Sequence, residues 1–187
     1  MSSTFNFKKF VNAVLFFAEK DKIGITKLNK LLYYSDFEHY RLYGRPIIGD
    51  EYLKMEQGPV PENAYSIFNS NFRDAQDASL REYIEVRPRL IRDFSEKTIV
   101  PKTKPNLDCF SQSELEIMEA VSTQYRGKTA TMLSSKTHGE LPWQKTKNLQ
   151  KIDYKLILEG SDSSAVSSDY ARYREKQNEE LKDLLGR

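Results

Sequence analysis

Residues 26–43 form a helical segment that is apolar or aromatic on most of its faces. Leu28, Leu31, Leu32, Ser35, His39 and Leu42 recur at three- and four-residue steps, while Tyr33, Tyr34, Phe37, Tyr40 and Tyr43 fill the other directions. Such a helix is stable only when several neighbours cover it, so the rest of the chain must be arranged as a shell around it. Thr26 is its expected N-cap. Gly44, with Pro46 just beyond, is its expected stop.

The shell is legible in outline. Phe7, Phe10, Val11, Val14, Leu15 and Ala18 share one face of a preceding helix, capped by Ser3 or Thr4 and broken over residues 20–24. Tyr52 to Glu56 reads as a short extended piece, followed by a stiff turn, Gln57-Gly58-Pro59-Val60-Pro61, and a helix over about 61–70. Ile84, Val86 and Leu90 alternate with Glu85, Arg87 and Arg89, and Thr98-Ile99-Val100 follows. This predicts a two-stranded hairpin, with Pro88 and Pro101 restricting it to an edge. Ser111-Gln112-Ser113-Glu114 is a capping box opening a helix that carries Leu115, Met118, Val121 and Tyr125. Thr129 caps a shorter helix around Met132 and Leu133, and an apolar segment runs from Ile152 to Leu158. The expected fold class is mainly α (α+β): a compact helical core around the buried central helix with a small antiparallel β-element. The expected division is a domain over 1–158, a Ser-rich linker over 159–168 and a charged C-terminal helix over 169–187.

Lys+Arg 29 against Asp+Glu 27 leaves a net charge of +2, which argues against bulk electrostatic binding to nucleic acid or anionic lipid. The balance conceals two uneven stretches. Residues 126–155 hold seven bases and two acids, and 108–119 hold four acids and no base. The simplest expectation is that these two segments attract each other. No apolar run is long enough for a signal peptide or a membrane span, so a cytoplasmic protein is expected.

The chemistry-bearing residues are few. His39 lies within the aromatic helix and reads as a satisfied core histidine. His138, in Thr137-His138-Gly139-Glu140-Leu141-Pro142-Trp143, lacks the Ser or Cys elbow, the phosphate-binding loop and the Asp partner that a catalytic histidine would need. One Cys and two distant His cannot build a structural zinc site. Cys109, beside Asp108, reads as an unreactive thiol. No cofactor and no metal are expected. A helix-turn-helix with exposed basic residues is not visible, so direct DNA binding is not expected. An enzyme using His138 and Glu140 stays as a minority alternative.

Three separated segments carry a resemblance. Lys30-Leu31-Leu32-Tyr33-Tyr34 followed by Gly44-Arg45-Pro46-Ile47, then Gln57-Gly58-Pro59-Val60 with Tyr65 behind it, then Leu133 to Trp143, together resemble the Panacea domain. This is the antitoxin domain of the SocA-like, phage-associated group, and the similarity spans about residues 7–158. The resemblance implies an antitoxin that neutralises a cognate protein toxin by direct contact. Toxins paired with such domains include nucleotide-transferring enzymes that block translation. It also implies an alternative role as an adaptor that presents the toxin to a ClpXP-type protease. A homodimer is left open. Gly44, Pro46, Gly58, Pro59, Val60, His138, Pro142 and Trp143 read as fold determinants of this motif set, with Pro142-Trp143 supplying a large buried ring. Partner choice is then expected on variable surface, and the residue types common in interface hot spots single out Tyr52, Arg87, Arg89, Tyr170, Tyr173 and Arg174.

Overall fold

The computed structural model describes residues 5–69, 80–91 and 94–159. Two long helices come first, α1 (Phe7–Lys20) and α2 (Ile25–Tyr43). A tight hairpin comes next, β1 (Tyr52–Met55) and β2 (Gly58–Pro61), leading directly into α3 (Glu62–Asn69). A longer hairpin, β3 (Ile84–Ile91) and β4 (Phe94–Pro101), makes a second two-stranded antiparallel sheet. The rest is helical: α4 (Gln112–Tyr125), α5 (Ala130–His138), the short α6 (Leu141–Lys145), and 3-10 turns at Leu107–Cys109 and Tyr154–Leu158. This is the mainly α, α+β class that the sequence implies. No helix among the described residues is long and apolar enough to cross a membrane. The Ser-rich stretch from residue 160 and the expected C-terminal helix, with Tyr170, Tyr173 and Arg174, lie outside the described residues.

The central position of α2 is explained by its faces. Leu28, Leu31, Leu32, Tyr33, Tyr34, Phe37 and Tyr40 are all buried, and α2 packs against α1, α3, α4, α5, β2, β4 and the 3-10 turn at Tyr154. Gly44 ends it in the left-handed conformation, φ 69°, with its N–H on the Tyr40 carbonyl. At the start of the helix the N-cap is Gly24 and not Thr26. The reason is tertiary: Gly24 is bridged to Thr98 of β4, and the Glu96 side chain lies directly over it, so the longer hairpin closes this end. Helix α1 is capped two or three residues later than expected, by Asn6, whose side chain accepts from the Lys9 N–H. The capping box at Ser111 and the Thr129 cap both form.

Buried polar groups fix the chain where it leaves α2. The Asp36 carboxylate is fully enclosed and accepts the N–H groups of Ile47, Ile48 and Gly49 at 2.9, 2.7 and 3.2 Å. The hydroxyls of Tyr52 and Tyr154 reach its second oxygen at 3.0 and 3.1 Å. At the residue after Gly49, Asp50 accepts from the Asn63 and Ala64 N–H groups and so caps α3. Asp36 thus ties the segment leaving the central helix to β1 and to the C-terminal 3-10 turn.

Burial pushes the Asp36 carboxyl up to about 6, against the hydrogen bonds from Ile48, Tyr52 and Tyr154 that favour its charge. A carboxyl raised above its unfolded value contributes stability that is full below the unfolded value and is lost as pH rises through the folded one. The stability advantage of the wild type over Asp36→Asn is therefore expected to shrink by about 3 kcal/mol as pH rises from about 4 to above 6. Urea titrations across that window measure it. A gap that is flat or grows with pH would mean that the donors outweigh burial.

Candidate functional site

The three motif segments meet on one side of α2. Lys30, only 1% exposed, sends its ammonium to the Pro59 carbonyl at 2.8 Å. Burial alone lowers its pKa to about 8. Gly58 comes so close that a Cβ there would lie 2.5 Å from the Thr137 hydroxyl and 2.9 Å from the Lys30 ammonium. Thr137 is fully buried and donates to the Ser134 carbonyl. The first, second and third motifs therefore close on one another through Lys30, Gly58-Pro59 and Thr137.

A second set of contacts lies one turn along α2. The Tyr33 hydroxyl donates to Glu140 at 2.9 Å, and burial raises the Glu140 carboxyl. Tyr34 stacks on Tyr125 of α4 with ring centroids 4.5 Å apart, and the Lys136 ammonium donates to the Tyr125 hydroxyl while lying over both rings. The Tyr34 hydroxyl is buried, and burial together with the nearby Glu140 carboxylate raises its pKa. Tyr34 also lines a cleft of about 300 Å³, together with the buried Phe37 and Val121, with Ile157, and with Glu38, Gln124 and Lys136. An apolar floor with a rim of both charge signs suits a protruding side chain of a protein partner.

The third motif also braces the small hairpin. The His138 ring stacks on Trp143 at 4.2 Å. The Trp143 indole N–H reaches the Met55 carbonyl at 3.4 Å, and the Lys54 ammonium lies 3.8 Å from its ring centroid. Pro142 is buried, but Trp143 is only partly so, because it lies between the hairpin and the exposed turn of α6 and does not enter the main core. The two residues of the enzyme alternative are engaged separately, Glu140 with Tyr33 and His138 with Trp143.

His39 is held as the sequence suggests. Its Nδ1 faces the Arg45 carbonyl at 2.7 Å, which can only accept, so the proton sits on Nδ1 and Nε2 accepts from the Ser113 hydroxyl at 3.1 Å. Burial lowers its pKa. Burial likewise raises the Cys109 thiol, which lies against the Asn106 carbonyl.

The predicted contact residues fall in different places. Tyr52 is not on the surface: it is 1% exposed and donates to Asp36, because its position in β1 points it at the central helix. Arg87 and Arg89 are exposed on β3, Arg87 paired with Glu85 at 2.7 Å. The two uneven charge stretches do not pair with each other. Glu114 and Glu119 of α4 bind Lys9 and Lys20 of α1, while Lys145 binds Glu159 and Lys151 binds Glu51. Two members of each stretch are thus paired with other parts of the fold. The sequence motifs include Lys30 only as one letter, and no motif includes Asp36. A lysine and an aspartate inside a helix that its neighbours must cover were the available signals, since either must find a partner when buried.

The family model described as "Antitoxin SocA-like, Panacea domain" matches residues 28–144, which contain all three motif segments. No curated protein and no solved structure matches the chain.

Proposed function

Because the chain belongs to the SocA-like Panacea antitoxin family, we propose that it neutralises a cognate protein toxin by binding it directly, with no chemistry of its own. The observation that carries this reading is that three polar or aromatic contacts tie residues of the family motifs to one another. Lys30 holds Pro59, Tyr33 holds Glu140, and His138 lies on Trp143. These residues support the shape of the domain, and recognition falls to the surfaces around them: the cleft at Tyr34 and the exposed hairpin with Arg87 and Arg89. The partner is a soluble protein, of which a translation-blocking nucleotide-transferring enzyme is one chemistry in keeping with the resemblance.

Co-expression with the product of the adjacent gene tests the proposal. The expected result is rescue of growth, a copurifying complex and a toxin half-life that is unchanged or longer. A toxic neighbour that is neither rescued nor retained overturns it. Rescue with a shortened half-life assigns the adaptor role instead.

A further inference from the structure

We infer that Leu149 is a pre-positioned apolar anchor for the partner, seated on a basic loop and matched to an apolar pocket with an acidic rim on the toxin. The inference rests on the antitoxin reading above. Leu149 has φ 63° and is the only non-glycine residue with positive φ among those described. It is also 70% exposed. The Gln150 N–H bonds the Lys147 carbonyl, so Leu149 is the third residue of a β-turn, a place where positive φ normally selects glycine or asparagine. A large apolar side chain in a conformation that disfavours it, pointing at water, serves neither the turn nor the core.

The surrounding bonds hold this arrangement firmly. Lys54 of β1 accepts the Leu149 N–H at 2.8 Å, donates its own N–H to the Gln150 carbonyl at 2.9 Å, and sends its ammonium to the Thr146 carbonyl at 2.9 Å. The Ile152 N–H then reaches the Tyr52 carbonyl at 2.7 Å. The Lys54 ammonium also covers Trp143. The family motif thus supports a loop that starts just past the matched segment, and Leu149 is the side chain that loop displays. The charge of the loop sets the partner's chemistry. Residues 145–151 hold Lys145, Lys147 and Lys151 and no acid. Lys145 and Lys151 meet carboxylates of this chain at exposed positions, where a partner's carboxylates can take over. Lys147 is exposed between them.

Leu149→Gly separates an anchor from a structural residue, because glycine accepts the turn while losing the side chain. With a catalytically inactivated product of the adjacent gene as probe, titration calorimetry is expected to show binding weakened at least about tenfold. The melting temperature of the free protein should be level or raised. Equal binding, or a lowered melting temperature, overturns the anchor. Lys147→Glu is expected to slow association; association as fast as wild type overturns the acidic rim. A wild-type protein that fails to bind the probe overturns the antitoxin reading itself, a result distinct from wild-type binding that Leu149→Gly leaves unchanged.

Discussion

Asp36→Ala is expected to destabilise the protein by about 3–5 kcal/mol, the cost typical of removing one partner from a buried charged network. Three backbone N–H groups and two tyrosine hydroxyls converge on this carboxylate. After truncation the Tyr154 hydroxyl keeps an acceptor nearby, the Asp50 carbonyl at 2.7 Å. The N–H groups of Ile47 and Ile48 remain buried, and each unsatisfied donor costs about 1–3 kcal/mol. For a chain of this size a loss of that order lowers the melting temperature by roughly 10–15 °C. Asp36→Asn keeps one acceptor oxygen, and a tyrosine hydroxyl can turn to accept from the new amide. It is expected to lose less than half as much at neutral pH. Differential scanning calorimetry of the two variants decides the matter. A drop below about 3 °C for Asp36→Ala would show that water or backbone movement satisfies the donors, and that the carboxylate does not organise residues 47–49.

The importance of Asp36 was not legible in the sequence, whereas that of its helix was. The aromatic run from Tyr33 to Tyr43 announces burial through periodicity, a property of consecutive residues. The partners of Asp36 come from residues 47–49, 52 and 154, and no local pattern reports which distant N–H or hydroxyl will meet a carboxylate. The same distinction explains β2. Pro59 and Pro61 suggested a rigid turn, since a proline cannot donate to a sheet ladder. They are paired with Lys54 and Tyr52. The backbone groups of those two residues point away from β2, toward Gln150, Leu149 and Ile152. The missing N–H groups therefore fall on the side where β1 asks nothing of β2.

Pro88 is placed the same way in the longer hairpin. Ile99 donates outward to the Ile23 carbonyl, so its pair with Val86 is not hydrogen-bonded; two residues along, Pro88 faces Lys97 in the equivalent register. In each hairpin the proline removes donors from an edge without weakening the pairing inside. Alternation in the sequence revealed the β3–β4 hairpin, but only the register shows why its proline is tolerated. The contact candidates illustrate the limit from the other side. Residue type selected Tyr52 as a hot-spot residue, yet a tyrosine serves equally as a buried ring with a polar tip, and a nearby buried carboxylate decides between the two.

Gly58→Ala should be nearly as damaging as the loss of Asp36, at about 3–4 kcal/mol, from two sources that can be separated. Gly58 has φ 93°, outside the region an alanine adopts without strain, which costs of order 1–3 kcal/mol. The new methyl would also lie 2.5 Å from the Thr137 hydroxyl and 2.9 Å from the Lys30 ammonium. Neither neighbour can withdraw into solvent, because Thr137 is fully buried and Lys30 nearly so. Relief by moving the hairpin would pull the Pro59 carbonyl off Lys30 and leave a buried ammonium without its acceptor. Thr137→Ala removes the closest atom, so in the double variant the overlap is expected to fall while the backbone strain stays. Chemical denaturation of both single variants and the double variant closes the cycle. A favourable coupling of about 1 kcal/mol or more assigns part of the cost to the close approach of the second and third motifs; strict additivity would place all of it in the backbone. The glycine would then be required by its turn alone, and the meeting of the three motifs would owe nothing to the space at residue 58.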